Sequence, residues 1–307
     1  MKQNQLDRRN FMQNSLLALG AVGAGLLAKS SAVFGKSQTK ANPDITIVHC
    51  KDPFKAAKKA IEIVGGIKRF VSPGQTVVLL PNIISNSPPE FAVNTHPEVI
   101  RAVAECCIGA GAKVRVLHRH DRAYAEALGI TKTMKSLGAE MVHFPYSEKD
   151  VKRYRQIPTP MGRVLDSVYV CDVVYDADVV INIPVAKHHA GSEITMAMKN
   201  LMGVVKEPRS FHYKGLHESI ADLSTVVRPD LIVMDASRIL LTNGPSGPGQ
   251  TKVVDEVIAT TDPIACDTYG ASLLKKFPRD VPFLVYGYKQ NLGELNLEKL
   301  SIRRENA

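Results

Sequence analysis

The sequence predicts an α/β fold with a mostly parallel sheet, helices on both faces and an inserted β-hairpin. Three observations support this. Strand-like and helix-like runs alternate along the chain, two strand-like runs are continuously apolar, and one turn-rich segment interrupts the alternation. Such alternation is typical of sheets covered by helices, and strands buried on both faces are apolar throughout.

The amino-terminal half supplies the first strands and helices. Strands are predicted over residues 45–48, 76–80, 113–117 and 140–144, and helices over residues 54–64 and 97–110. Pro97 suits a first helical position, and Gly111 suits a residue just past a helix end. Within residues 156–170, Pro158, Pro160 and Gly162 separate β-prone residues, which indicates the inserted hairpin.

The carboxyl-terminal half supplies the central strands. Apolar runs predict strands over residues 178–183 and 231–234, and helices are predicted over residues 192–203, 216–227 and 263–275. In the first of these helices, Ser192 can cap the start and Gly203 can end it. The segment after residue 275 has no clear assignment.

The first 40 residues resemble an export leader. Arg8-Arg9 precedes an uncharged run from residue 15 to 28, a pattern typical of twin-arginine signals. The run falls short of the roughly 20 apolar residues that span a membrane. We therefore predict a signal and linker over residues 1–40 and a single α/β domain over 41–307. The expected location is periplasmic or otherwise exported, with the twin-arginine machinery as a partner; an uncleaved leader would anchor the domain to the membrane.

The charge argues against nucleic-acid binding, and the cysteine spacing argues against an iron–sulfur cluster. The net charge is +9, of which five units lie before Ala41, so the domain carries about +4. This mild surplus attracts small anions and gives no reason to expect nucleic acid. The five cysteines show no Cys-x-x-Cys spacing, so no iron–sulfur cluster is predicted.

Polar residues that follow predicted strands are the first site candidates, because ligands of open α/β sheets bind at the carboxyl ends of the strands. Asn82 follows one strand, and His96 stands at a helix start that can attract an anion. Lys187 and His188 follow another and could bind an anion or transfer protons. Adjacent residues of an extended chain face opposite sides, so only one of His188 and His189 is expected to face the site.

A second group of candidates lies farther along the chain. Asp235 ends a strand and could ligate a metal or orient a histidine. Arg209 and His217 belong to a basic segment suited to a carboxylate or phosphate. His188, His217 and Asp235 are the candidate ligands for a metal ion. Helix capping and a solvated basic loop are the plain structural alternatives.

Several of these residues fall in motifs that resemble the family called domain of unknown function 362. The motifs are Asn94-Thr95-His96-Pro97, Pro184-x-x-Lys187-His188, residues 195–203 (TMAMKNLMG), His217 before a helix, and residues 262–267 (DPIACD). The resemblance implies the α/β fold and adds Lys199 and Asn200 to the site. Many members carry ferredoxin-like cysteines, which this chain lacks, and Leu80 stands where members usually have lysine.

Two functional hypotheses remain open on this basis. One is an exported enzyme that acts on a small anionic substrate with a bound metal or organic cofactor. In this hypothesis Lys187 and Lys199 neutralise the anion, His188 acts as acid, base or ligand, and Asp235 orients it. The other is a non-catalytic periplasmic accessory protein that delivers a ligand or metal to a redox partner. Cysteine spacing argues against a third, an iron–sulfur electron-transfer protein.

Overall fold

A computed structural model describes residues 42–144 and 151–307. The predicted leader lies outside the described residues. The strands are β1 (Ile45–His49), β2 (Thr76–Pro81), β3 (Lys113–His118), β4 (Glu140–His143), β5 (Tyr154–Pro158), β6 (Ser167–Cys171), β7 (Val179–Ile183), β8 (Val185–His189), β9 (Glu193–Thr195), β10 (Leu231–Leu240), β11 (Thr251–Thr260) and β12 (Ile302–Asn306).

The helices that accompany these strands vary from one turn to more than three. They are α1 (Pro53–Ile63), α2 (Pro97–Gly109), α3 (Arg122–Ala127), α4 (Ile130–Ser136), α5 (Asp172–Tyr175), α6 (Ala197–Asn200), α7 (Phe211–Lys214), α8 (Leu216–Val226), α9 (Pro263–Leu273) and α10 (Pro282–Lys289). None of the helices in the described part of the chain has the length and apolar character needed to cross a bilayer.

The main sheet runs in the order β12-β1-β11-β10-β7-β2-β3-β4, and β8 joins it by pairing with β10 and β9. Most pairs are parallel, whereas β11 is antiparallel to both β1 and β10. Strands β5 and β6 form a separate antiparallel hairpin. The predicted α/β fold, with a mostly parallel sheet and an inserted hairpin, is confirmed, and the antiparallel β11 makes the sheet mixed.

Helices cover both faces of the sheet, as the alternation of side chains along β10 shows. Val233 belongs to the buried cluster that α1 and α2 cover. The next residue, Met234, faces the other way, with its Sδ 3.8 Å from the Sγ of Cys266 on α9. Because successive residues of a strand point to opposite faces, α1 and α9 must lie on opposite sides of the sheet.

The loops at the carboxyl end of β2 are fixed by a threonine. The Oγ1 of Thr95 accepts a hydrogen bond from the backbone N of Asn82 at 2.9 Å and donates one to the carbonyl of Ile183 at 2.6 Å. This buried side chain joins the ends of β2 and β7 to the segment that leads into α2. The polar residues after these strands therefore lie close together.

The helix predicted over residues 192–203 is only partly present. Glu193–Thr195 forms β9, which pairs antiparallel with β8, and α6 occupies only Ala197–Asn200 before a 3₁₀ turn. The apolar residues there follow helical spacing, but pairing with β8 satisfies the backbone of the first three residues. Strand β10 also extends to Leu240, well beyond the predicted end.

Candidate functional site

A cavity of about 290 Å³ opens at the carboxyl ends of β2, β3 and β8. Loops after α6 and β10 contribute the rest of its wall. The polar residues that line it are Asn82, His118, Arg119, His120, Lys187, His189, Thr195, Lys199, Asn200 and Ser246. None of the described lining residues is Asp or Glu, so no carboxylate in the wall opposes its cations. Such a cavity favours an anion.

Lys187 is the most enclosed charge in this wall, with no exposed surface. Its Nζ donates to the Oδ1 of Asn82 at 2.9 Å, to the carbonyl of Val93 at 2.6 Å and to the carbonyl of Pro245 at 3.2 Å. Burial and the charge of Lys199 lower the pKa of Lys187. The three acceptors each need a hydrogen, however, and so hold the proton on the amine. Lys187 thus supplies charge but has no hydrogen left for a ligand.

Three asparagines continue this network. Asn82 donates through Nδ2 to the Oδ1 of Asn200 at 2.8 Å, and Asn200 donates to the Oδ1 of Asn182 at 2.7 Å and to the carbonyl of Leu80 at 2.9 Å. Asn182 in turn donates to the carbonyl of Ala197 at 2.8 Å. We call Asn82, Lys187 and Asn200, together with Asn182 behind them, the bonded side of the cavity.

A buried carboxylate positions the helix that carries Lys199 and Asn200. Asp267 on α9 accepts from the backbone N of Ala197 at 2.7 Å and of Met198 at 3.0 Å, at the start of α6. Burial raises the pKa of Asp267 to about 7, against the lowering effect of these two hydrogen bonds. The short helix therefore begins where Asp267 satisfies its first N–H groups.

Lys199 differs from Lys187 in having almost no polar partner. Within the described residues, the contact that its Nζ makes is with the Sδ of Met202 at 3.6 Å, and thioether sulfur is a weak acceptor. Burial lowers the pKa of Lys199 to about 8. A measurable fraction of this amine is neutral near pH 7, and its hydrogens are available to a ligand.

His189 presents a hydrogen-bond donor to the same cavity. Its Nδ1 accepts from the backbone N of Gly191 at 2.9 Å and of Ser192 at 3.1 Å. Burial, followed by the charges of Lys199 and Lys187, lowers the pKa of His189 to about 3. The ring is therefore neutral at ordinary pH, and because Nδ1 accepts, its proton resides on Nε2.

Two other lining groups are buried with a polar atom unpartnered in the described part of the chain. They are the Nε2 of His118 and the Oγ1 of Thr195, and both residues are only 4% exposed. Burial lowers the pKa of His118 to about 4, with smaller effects from His143 and His120. We call His118, Thr195 and Lys199 the open side. Native proteins seldom leave buried polar atoms unpaired, so these two atoms mark the part of the wall whose hydrogen bonding is least complete.

A comparison with known protein families identifies the family to which this chain is similar. The profile described as "Domain of unknown function (DUF362)" matches residues 77–272, more than half of the chain. The chain belongs to the DUF362 family. A thylakoid-associated protein of Synechocystis sp. is 29% identical over 231 residues, which cover 72% of this chain and 70% of that protein.

Among solved structures, the chain is similar to the lactate racemase apoprotein from Thermoanaerobacterium thermosaccharolyticum. The match has a TM-score of 0.39 at 10% identity and covers 78% of this DUF362 chain. The chain spans 58% of the length of that structure.

The structure brings four of the predicted residues of this DUF362 protein into the cavity wall, namely Asn82, Lys187, Lys199 and Asn200. It also corrects the choice between the adjacent histidines. Lys187 and His189 are two residues apart on β8 and share the cavity side, which directs His188 away. The Nδ1 of His188 accepts instead from the backbone N of Gly244 at 3.1 Å.

The remaining candidates lie outside the wall. His96 caps α2, with its Nδ1 accepting from the backbone N of Glu98 at 3.1 Å. Asp235 accepts from the backbone N of His96 at 2.7 Å and from Ser237, so it fixes a loop and does not orient His188. His217 stacks on Phe283 at a ring separation of 6.0 Å. Arg209 is exposed.

The predicted metal set is not assembled. Within residues 42–144 and 151–307, no three His, Cys, Asp or Glu side chains lie together so that they could hold a metal ion. Asp235, moreover, spends both carboxylate oxygens on His96 and Ser237. The side chains of His188, His217 and Asp235 therefore do not fit a shared metal site.

Sequence reasoning missed four wall residues. His118 ends β3, and Arg119 and His120 follow it, so the rule that ligands bind at strand ends, applied there, would have found them. Arg119 is buried and donates to the carbonyls of Gly203 and Val205. Thr195 gave no such signal, because its segment was predicted to be helical.

Proposed function

We propose that this DUF362 protein is an enzyme that acts on a small organic anion held in the cavity. The observation that carries the proposal is a wall with Arg119, Lys187 and Lys199 but no carboxylate among its described residues. An anion entering this wall gains Coulomb energy with each cation, and partial burial strengthens that attraction relative to bulk water. An organic cofactor bearing phosphate or carboxylate would suit the same wall.

The two lysines have different roles in this proposal. Lys187 holds a fixed positive charge and ties the loops that contain Val93 and Pro245 to Asn82. Lys199 binds the anion and, when neutral, takes a proton from it, because a pKa of about 8 suits a general base near neutral pH. His189 donates from Nε2 to an oxygen of the substrate, since its Nδ1 is occupied.

The first test is anion binding to the purified full chain. Oxalate and phosphate are titrated by calorimetry into wild type, Lys199→Met and Lys214→Met; Lys214 is an exposed lysine of α7 that serves as the control. Wild type and Lys214→Met should bind at least one anion with the same affinity, and Lys199→Met should bind it about tenfold or more weakly, a difference of about 1.4 kcal/mol. Equal affinity for all three proteins would reject the proposed site.

An accessory protein without catalysis is the second candidate function. One observation favours it: Tyr213 on α7 is 91% exposed, close in sequence to Pro208, which lines the cavity. An exposed aromatic side chain near a ligand site suits contact with a partner protein. Turnover of a bound anion by wild type, lost in Lys199→Met, would favour the enzyme; tight binding with no turnover would favour the accessory protein.

We also propose export through the twin-arginine pathway, for which the support is the Arg8-Arg9 pair and the uncharged run that follows. Replacing both arginines by lysine keeps the charge and removes the recognised pair. The variant should remain in the cytoplasmic fraction while wild type leaves it. An uncleaved leader would instead hold the domain at the membrane fraction. Equal distribution of the variant and wild type would contradict this route.

A further inference from the structure

The open side of the cavity contains an amine placed for covalent chemistry. Lys199 contacts only a weak thioether acceptor within the described residues, whereas the other cavity lysine spends all three hydrogens on oxygen atoms. No carboxylate of the described wall holds Lys199 in its charged form. An uncharged amine in such surroundings is a nucleophile toward carbonyl carbon.

The groups around Lys199 suit a substrate that has a carboxylate at one end and a carbonyl group next to it. A carboxylate is attracted by the charges of Lys187 and Arg119, which are fixed in the wall by their own hydrogen bonds. A carbonyl oxygen needs a hydrogen-bond donor, and His189, whose Nε2 carries the proton, lines the same cavity. Thr195 adds a buried hydroxyl without a partner among the described residues, directly across from Lys187 in the β8–β9 pair.

We propose that Lys199 forms an imine with a small 2-oxo acid. This inference rests on the proposed anion site and names the substrate class and the covalent step. The order of binding follows from the charges: the carboxylate engages the wall first, which brings the carbonyl carbon within reach of Nζ.

The step needs no oxidant or reductant. The lone pair of the neutral Nζ forms a C–N bond, the π electrons of the C=O bond move to oxygen, and that oxygen takes a proton. Loss of one N–H proton from Nζ gives the neutral carbinolamine. The C–O bond then breaks as the hydroxyl is protonated, water leaves, and a C=N⁺ bond forms. One N–H hydrogen remains on the protonated imine, and its positive charge lies beside the bound carboxylate.

Borohydride trapping tests this inference. The purified full chain is incubated with pyruvate, reduced with sodium borohydride and digested for mass spectrometry. The peptide that contains Lys199 should gain the mass of the keto acid less one oxygen atom. Lys199→Arg should show no gain at that peptide, while Lys214→Met should be labelled like wild type. Labelling confined to exposed lysines, or a folded wild type without label at Lys199, would overturn the inference.

Oxalate separates this failure from failure of the proposed site, because it carries carboxylates but no ketone carbonyl. Oxalate binding that depends on Lys199, with no trapped pyruvate, would reject the imine and keep the anion site. If oxalate does not bind and pyruvate is not trapped, both the anion site and the imine are rejected. Competition by oxalate that reduces labelling at Lys199 at least several-fold is the expected result, since both molecules would occupy one cavity.

Discussion

The bonded side and the open side of the cavity both contain a lysine and other polar residues, but they differ in how completely these residues are hydrogen-bonded. On the bonded side, Lys187 donates all three of its amine hydrogens and the asparagines link to one another. On the open side, the Nε2 of His118 and the Oγ1 of Thr195 lack partners in the described residues. A fully satisfied polar network rigidifies a fold, whereas unpaired buried atoms cost free energy unless something binds them. The bonded side therefore holds the loops of the cavity in place, and the open side is where we propose that the anion binds.

The largest effect that this contrast predicts is on stability. Lys187→Met removes a buried donor from three acceptors, which should lower the free energy of unfolding by about 3 kcal/mol. Lys199→Met removes a partly buried charge that has only a thioether contact, so it should leave stability unchanged or raise it. Urea unfolding of the two variants measures both. Equal losses would erase the distinction between the two sides.

A somewhat smaller effect is expected from the carboxylate behind α6. Asp267→Asn keeps one acceptor but loses one of two hydrogen bonds to the start of α6, the helix that carries both Asn200 and Lys199. The free energy of unfolding should fall by about 2 kcal/mol, and oxalate affinity should fall as well, because both sides are displaced. Asp166→Asn, at an exposed aspartate, is the control. Lost stability with unchanged affinity would show that α6 keeps its place without Asp267.

The pKa of Lys199 also determines how anion affinity should change with pH. The amine carries its charge below its pKa of about 8 and loses it above, so oxalate affinity should fall as pH rises through 8. The loss should reach about tenfold, or about 1.4 kcal/mol. Lys199→Arg, which stays charged, should keep its affinity across that range. A wild-type profile that is flat between pH 7 and pH 9 would contradict this assignment of the titrating group.

The residues of the bonded side were easier to predict from the sequence than those of the open side, for physical reasons. Asn82 and Lys187 follow strands recognisable from local apolar runs, and strand ends meet at one edge of a parallel sheet. The choice of His189 over His188 depends on which face of β8 meets the cavity, and pairing with β9 and β10 fixes that face. Such pairing is not visible in a local pattern.

Distance along the chain explains the other misses. Asp267 lies about 70 residues from the N–H groups that it accepts from, so the sequence near α6 gives no sign of this contact. Residues 193–195 fit helical spacing as well as strand pairing, and the partner strand β8 decides between them. Strand β11 was missed because charged residues interrupt the valines of its first half, so no continuous apolar run marks it. Long-range pairing overrode local preference in each case.

The smallest effect expected concerns the acid side of the pH range. Burial lowers the pKa of His118 to about 4, so the folded protein binds fewer protons than the unfolded chain between about pH 4 and pH 6.5. Stability should therefore fall as pH falls through that window, by about 1 kcal/mol from His118 after allowance for solvent screening. His118→Gln, which cannot titrate, should lack this part of the decline. Because a bound anion favours the protonated ring, saturating oxalate should raise the pKa of His118 and flatten the decline in wild type, a shift that NMR of the imidazole would follow. An unchanged His118 pKa in the presence of bound oxalate would place the anion away from the open side.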